Sequence, residues 1–134
     1  MMVPKVLIVD DNAGVLFLHE LMVEESGLSD NIKTFNKAET ALNYLKNSSK
    51  QQPVIVFLDI NMPVMNGWDF MDHVTKDDSF QHLIVVIVTS SVNKADRIKS
   101  KRYSQIIDFV EKPLTLDVCE RFKKILPEHF RMEE

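Results

Sequence analysis

Four stretches of the sequence carry groups capable of chemistry, and each follows an apolar run. Asp10-Asp11 follows residues 5–9, Asp59 follows residues 54–58, Thr89-Ser90 follows residues 83–88, and Glu111-Lys112-Pro113 follows residues 106–110. Carboxylates gathered in one place repel and resist ionising together, so such a group suggests a bound cation. Oxygen donors without His or Cys point to Mg²⁺, which keeps several waters and takes one or two carboxylates plus a phosphate oxygen. A carboxylate such as that of Asp59 can attack phosphorus and form an aspartyl phosphate. Phosphoryl transfer needs in-line positioning and neutralised equatorial oxygens, a task open to Mg²⁺, the Lys112 ammonium and the Thr89 hydroxyl.

Whether these groups meet depends on the elements that carry them. The apolar runs 5–9, 32–35, 54–58, 83–88 and 106–110 suit strands of a parallel sheet covered on both faces, the second giving the weakest signal. Helical spacing lies between them, as in Ala38, Ala41, Leu42 and Leu45, with Lys37, Asn43 and Lys46 facing away. Asn36 with Glu39 reads as a capping pair at that helix start, and Asn93 with Asp96 and Thr115 ahead of Leu116 as further starts. Leu18, Met22, Phe70, Val74, Val118, Phe122 and Ile125 are expected on inward helix faces. Residues 47–52 read as a polar loop.

Five alternations of strand and helix predict an α/β fold: a doubly wound, open parallel sheet with right-handed crossovers. In such sheets ligands bind beyond the carboxyl ends of the strands, where all four stretches fall. The 134 residues suit one domain, with a core over about 4–126 and a frayed acidic tail over 127–134.

Composition narrows the function. With 45% hydrophobic and 27% charged residues the chain is globular rather than disordered. A net charge of −4 argues against a nucleic-acid partner. Cys119 is the only cysteine, so no intrachain disulfide forms. The aliphatic run 83–88 is far short of the roughly 20 apolar residues that span a bilayer. The first residues carry no long apolar leader, so a cytoplasmic location is expected. His19, His73, His82 and His129 show no mutual ligand spacing and read as surface or packing residues. Lys94, Arg97, Lys99, Lys101 and Arg102 read as a solvated basic face on the fourth helix.

The segments VLIVDDN, VFLDINMPVMNGWDFM, VIVTSS and DFVEKPLT resemble, in that order, the receiver domains of two-component response regulators. The resemblance covers essentially the whole chain. It implies a flavodoxin-like (βα)5 fold with strand order 2-1-3-4-5. It implies that Asp59 is the phosphoacceptor, that Asp11, Asp59 and the Asn61 backbone carbonyl bind Mg²⁺, and that Asp10 helps through water. Lys112 would pair with the phosphoryl group, Thr89 would move to meet it, and Phe109 would change rotamer on activation. Asn61 and Ser91 would flank the path of the water that removes the phosphoryl group. The Lys112–Pro113 bond is expected to be cis.

The implied protein is a receiver without an attached output domain, a signalling phosphoacceptor rather than an enzyme. It would use small phosphodonors and catalyse its own dephosphorylation. The implied partners are a sensor histidine kinase or histidine phosphotransfer protein and a separate downstream protein, with a monomer favoured. One departure is that residues 101–108 lack the Gly-Ala pair of many receivers and run slightly long, which bears on the end of the fourth helix.

Three other readings compete. A haloacid-dehalogenase-like phosphatase also uses Asp, Mg²⁺, Thr or Ser, and Lys, but its nucleophile follows the first strand with a second acid two residues on. Here Asn61 holds that second position after Asp59. A phosphorylation-independent interaction module is disfavoured by the complete acid, Thr and Lys set. A flavin protein is disfavoured because Asp10-Asp11-Asn12 replaces an anion cradle.

Overall fold

In the computed structural model the described residues are 4–48, 52–90 and 92–130, with side chains described up to 126. Strands β1 (Lys5–Val9), β3 (Val54–Leu58) and β4 (Leu83–Thr89) are almost wholly Val, Ile, Leu and Phe, and all but Lys5 are buried. Continuous apolar runs suit them because helices cover both faces. Strands β2 (Ile32–Phe35) and β5 (Ile106–Glu111) are only partly buried. They form the edges of a sheet in the order β2-β1-β3-β4-β5, parallel throughout. Edge position explains the weak signal of residues 32–35, which interleave Lys33 and Thr34 with apolar neighbours.

Alternate strand residues feed two cores. Leu7, Val9, Val56, Leu58, Val85 and Ile87 pack with residues of α2 (Ala38–Lys46) and α3 (Gly67–Lys76). On the other face Val6, Ile8, Ile55, Phe57, Val86 and Val88 pack with residues of α1 (Ala13–Ser26) and α5 (Leu116–Phe130). A short 3-10 turn at Asp78–Phe80 precedes β4, and α4 (Lys94–Ser100) precedes β5.

The helix starts set the loops around the sheet's carboxyl edge. Asn12 caps α1 by accepting from Val15 N, and Asn93 caps α4 by accepting from Asp96 N. Thr115 Oγ1 accepts from Val118 N at the start of α5. Asn36 does not cap α2: Lys37 occupies that place in extended conformation and makes no side-chain cap bond. Asn36 lies one residue too early, because a cap side chain reaches the donors two and three positions on.

Two other readings change. Leu18, expected inward, is 40% exposed, while the buried residues of α1 are Leu16, His19, Val23 and Ser26. The helix carries apolar residues on every side, so spacing alone did not fix its rotation. The expected tail from Pro127 is helical as far as Phe130, and residues 131–134 lie outside the described residues. A proline removes one donor from a helix without always ending it. The loop read at 47–52 lies partly outside the described residues.

The long stretch at residues 101–108 is accommodated in β5. Val85 pairs with Ile106 and Val86 with Asp108, so Ile107 is one residue more than β4 offers. The bulge puts Phe109 opposite Ile87, and α4 ends at Ser100.

Candidate functional site

Register brings the acids together. Val9 pairs with Leu58, so Asp10 and Asp59 leave adjacent strands side by side, and Asp59 N donates to Val9 O at 3.0 Å. This is the point where strand order reverses, since β2 and β3 flank β1 on opposite sides. Gly67 is required by the same geometry: a Cβ there would lie 2.7 Å from the Asp59 carbonyl oxygen and 2.9 Å from Ile60 Cα. Its N–H donates to Ile60 O, so α3 starts directly against the Asp59 backbone, with Asn66 and Asp69 forming a capping box. The Asn66-Gly67 pair is thus a helix start.

Asp10 and Asp59 are buried, Asp11 is exposed, and carboxylate oxygens of all three lie within 4.8 Å of one another. Asp10 Oδ1 accepts from Asn12 N at 2.9 Å, which aims its other oxygen inward. Lys112 Nζ lies 2.6 Å from Asp10 Oδ2 and 3.4 Å from Asp59 Oδ2. Its backbone N donates to Thr89 O at 2.8 Å, which extends the ladder of β4 and β5 and fixes the root of the lysine. The Lys112–Pro113 bond is cis, as expected.

Burial, then the neighbouring Asp10 charge, raises the Asp59 carboxyl above the ordinary carboxylate range, against Lys112 and the Asn61 N–H, which favour the anion. Burial alone would lower the Lys112 ammonium, but its hydrogen bond to Asp10 and the charges of Asp59 and Asp10 raise it. Two buried carboxylates therefore share one ammonium, and a third, Asp11, stands within 4.8 Å of them. This all-oxygen set, with Asp11 open to solvent, fits a hard, hydrated cation such as Mg²⁺.

Of the residues singled out in sequence, the structure brings Asp10, Asp11, Asp59 and Lys112 together. Asn61 meets Asp59 through its backbone N–H, and Thr89, wholly buried, joins through its carbonyl to Lys112. Ser91 and the His129 side chain lie outside what is described. Phe109 is packed into the α2 and α3 core, with the Arg97 guanidinium 5.3 Å from its ring centroid. The basic run is not merely solvated, since Lys99 Nζ lies 5.0 Å from the centroid of Trp68, which stacks on Tyr103.

Sequence reasoning missed two residues. Asn12 both caps α1 and orients Asp10. His19 is buried, and its Nε2 accepts from the Leu114 N–H at 3.1 Å. Its spacing from Leu16 and Val23 was the available signal.

The sheet order and helix placement define a flavodoxin-like α/β protein with an acidic pocket at its strand-order switch point. The sequence model for the response regulator receiver domain matches residues 6–121, and the chain belongs to that family. That family is the signalling phosphoacceptor of two-component systems. Among curated relatives, Protein PilH of Pseudomonas aeruginosa is 29% identical over 110 residues, covering 82% of this chain and 86% of PilH. Response regulator Rre1 of Synechocystis is 33% identical over 115 residues, covering 85% of this chain and 47% of Rre1. The chain spans about a third of several methylesterase relatives, such as that of Methanococcoides burtonii at 33%. Among solved structures, a two-component response regulator from Cytophaga hutchinsonii aligns with a TM-score of 0.83 at 27% identity, over 94% of this chain and 98% of that one. A receiver protein from Dyadobacter fermentans gives 0.82 at 26%, over 94% and 97%. No helix among the described residues is long and apolar enough to cross a membrane.

Proposed function

We propose that this chain, as a single receiver domain over residues 1–134, accepts a phosphoryl group on Asp59 and thereby switches binding to a separate protein. The observation that carries the reading is the buried Asp59 carboxylate beside Asp10 and Asp11, with the Lys112 ammonium 3.4 Å away. The donor is a phosphohistidine of a sensor histidine kinase or a histidine phosphotransfer protein. An Asp59 oxygen forms the new P–O bond, the P–N bond of the donor breaks, and the departing imidazole takes a proton from solvent. Asp10, Asp11, Asp59 and the Asn61 carbonyl would hold Mg²⁺, which supplies neutralisation of the phosphoryl oxygens when bound.

Lys112 stands ready to pair with one phosphoryl oxygen, exchanging part of its contact with Asp59 for it. The Thr89 hydroxyl, at the end of β4, takes another. Phosphorylation adds nearly two negative charges at the sheet edge, and the movement of Thr89 is passed to Phe109 on the next strand. The chain works in the cytoplasm as a monomer, uses small phosphodonors and speeds its own dephosphorylation.

The test is incubation with acetyl phosphate and Mg²⁺, followed by intact-protein mass spectrometry. One phosphoryl group is expected on wild type and none on Asp59→Asn or in the presence of EDTA. Equal labelling of Asp59→Asn would defeat the assignment.

A further inference from the structure

We propose that His19 is a positioning residue for the phosphoacceptor site, acting through the Leu114 N–H to hold Lys112 in place. The role rests on the receiver reading above.

His19 occupies a place in α1 that ordinary packing would give to an aliphatic side chain. The buried residues of this helix are Leu16, His19, Val23 and Ser26, and His19 is only 2% exposed. A polar ring on such a stripe is costly unless hydrogen-bonded. Its partner is remote in sequence: Nε2 accepts from the Leu114 backbone N–H at 3.1 Å across 95 residues. That N–H precedes α5, which begins at Leu116, and the buried Leu114 side chain packs among Leu16, Val23, Cys119 and Phe122. With a leucine at position 19 the buried N–H would lose this acceptor.

The bond completes a brace around Lys112. On one side its own N–H is tied to Thr89 O at 2.8 Å. On the other, two residues on, the chain is tied to α1, the helix that directly follows Asp10-Asp11. The segment carrying the ammonium is thereby referenced to the helix that carries on from the acids. Lys112 must reach Asp10 and Asp59 together, at 2.6 and 3.4 Å, so a small shift of its backbone alters both contacts. A neutral imidazole with its proton on Nδ1 is the form that can accept at Nε2, and burial, with Lys112 adding to it against Asp10, lowers the ring's affinity for a second proton.

The experiment compares wild type, His19→Leu and His19→Gln, each in the presence and absence of Lys112→Ala. The readouts are the rate of labelling by acetyl phosphate at saturating Mg²⁺ and Mg²⁺ affinity by calorimetry. His19→Leu should lower the labelling rate about tenfold without weakening Mg²⁺ binding, and His19→Gln, whose carbonyl can accept, should restore most of it. In the Lys112→Ala background His19→Leu should cost little more, because the residue acts through Lys112. Wild-type rates in His19→Leu, or equal loss in both backgrounds, would overturn the role. Should His19→Leu fail to fold, ¹⁵N NMR of the wild-type ring decides: an Nδ1-protonated tautomer supports the proposal and an Nε2-protonated one refutes it. A wild type that labels with a normal His19→Leu removes only this inference, whereas a wild type that never labels removes the receiver reading with it.

Discussion

The Lys112 ammonium sits closer to Asp10, at 2.6 Å, than to Asp59, at 3.4 Å. Before any phosphoryl group arrives, the lysine therefore serves mainly as counter-charge to the acids. Lys112→Ala should destabilise the metal-free protein by on the order of 3 kcal/mol, since it leaves buried carboxylates without their partner. It should also tighten Mg²⁺ binding several-fold, because the competing cation is gone. Urea unfolding and calorimetric titration check both; unchanged stability with weaker metal binding would contradict the charge balance described.

Asp59 gives a pH-dependent stability of definite sign. Its carboxyl is raised by burial and by Asp10, so the folded state keeps the proton to higher pH than the unfolded chain does. Stability accordingly falls as pH rises from the ordinary carboxylate range through the raised value, and stays lower above it. Asp59→Asn removes this loss. The metal-free variant should melt above wild type at neutral pH, with the difference shrinking in acid below the ordinary carboxylate range. A melting scan in which the variant is the less stable at neutral pH would reverse the assignment.

Metal binding should separate the acids from the hydroxyl. At a Mg²⁺ concentration a hundredfold above its dissociation constant, wild type should gain about 2.7 kcal/mol of stability. Asp11→Ala should lose most of that gain and Thr89→Ala should keep it, since Asp11 belongs to the carboxylate cluster and Thr89 does not. Equal losses in thermal-shift titrations would remove Asp11 from the ligand set.

Much of this was legible in the sequence, for physical reasons. β1, β3 and β4 are buried on both faces, so their runs are continuous and end at the acids, Asp59 and Thr89. The order of these ends pointed to the site. The rotation of α1 was not legible, because Phe17, Leu18 and Leu21 remain exposed beside the buried Leu16 and Val23. The contact between His19 and Leu114 spans 95 residues and leaves no local trace. The preference of Lys112 for Asp10 depends on ångström-scale geometry that no spacing encodes.

The loop after Asp59 stores backbone strain at Val64. This β-branched residue has φ of 69° at the centre of a tight turn closed by Met65 N donating to Pro63 O at 2.8 Å, and it is 93% exposed, so nothing in its packing offsets the strain. Val64→Gly should stabilise the protein by about 0.5–1 kcal/mol, the relief of strain exceeding the added freedom of the unfolded chain. A lower unfolding midpoint in urea would show that the valine side chain contributes packing instead.

The central claim is that Asp59 itself becomes an acyl phosphate. Borohydride reduction after labelling with acetyl phosphate and Mg²⁺ converts a phosphorylated aspartate to homoserine, which peptide mass spectrometry locates. Conversion at position 59 alone, abolished by EDTA, is the predicted result. Conversion at Asp10, Asp11 or any other aspartate, or none in a folded protein supplied with Mg²⁺ and donor, would contradict it.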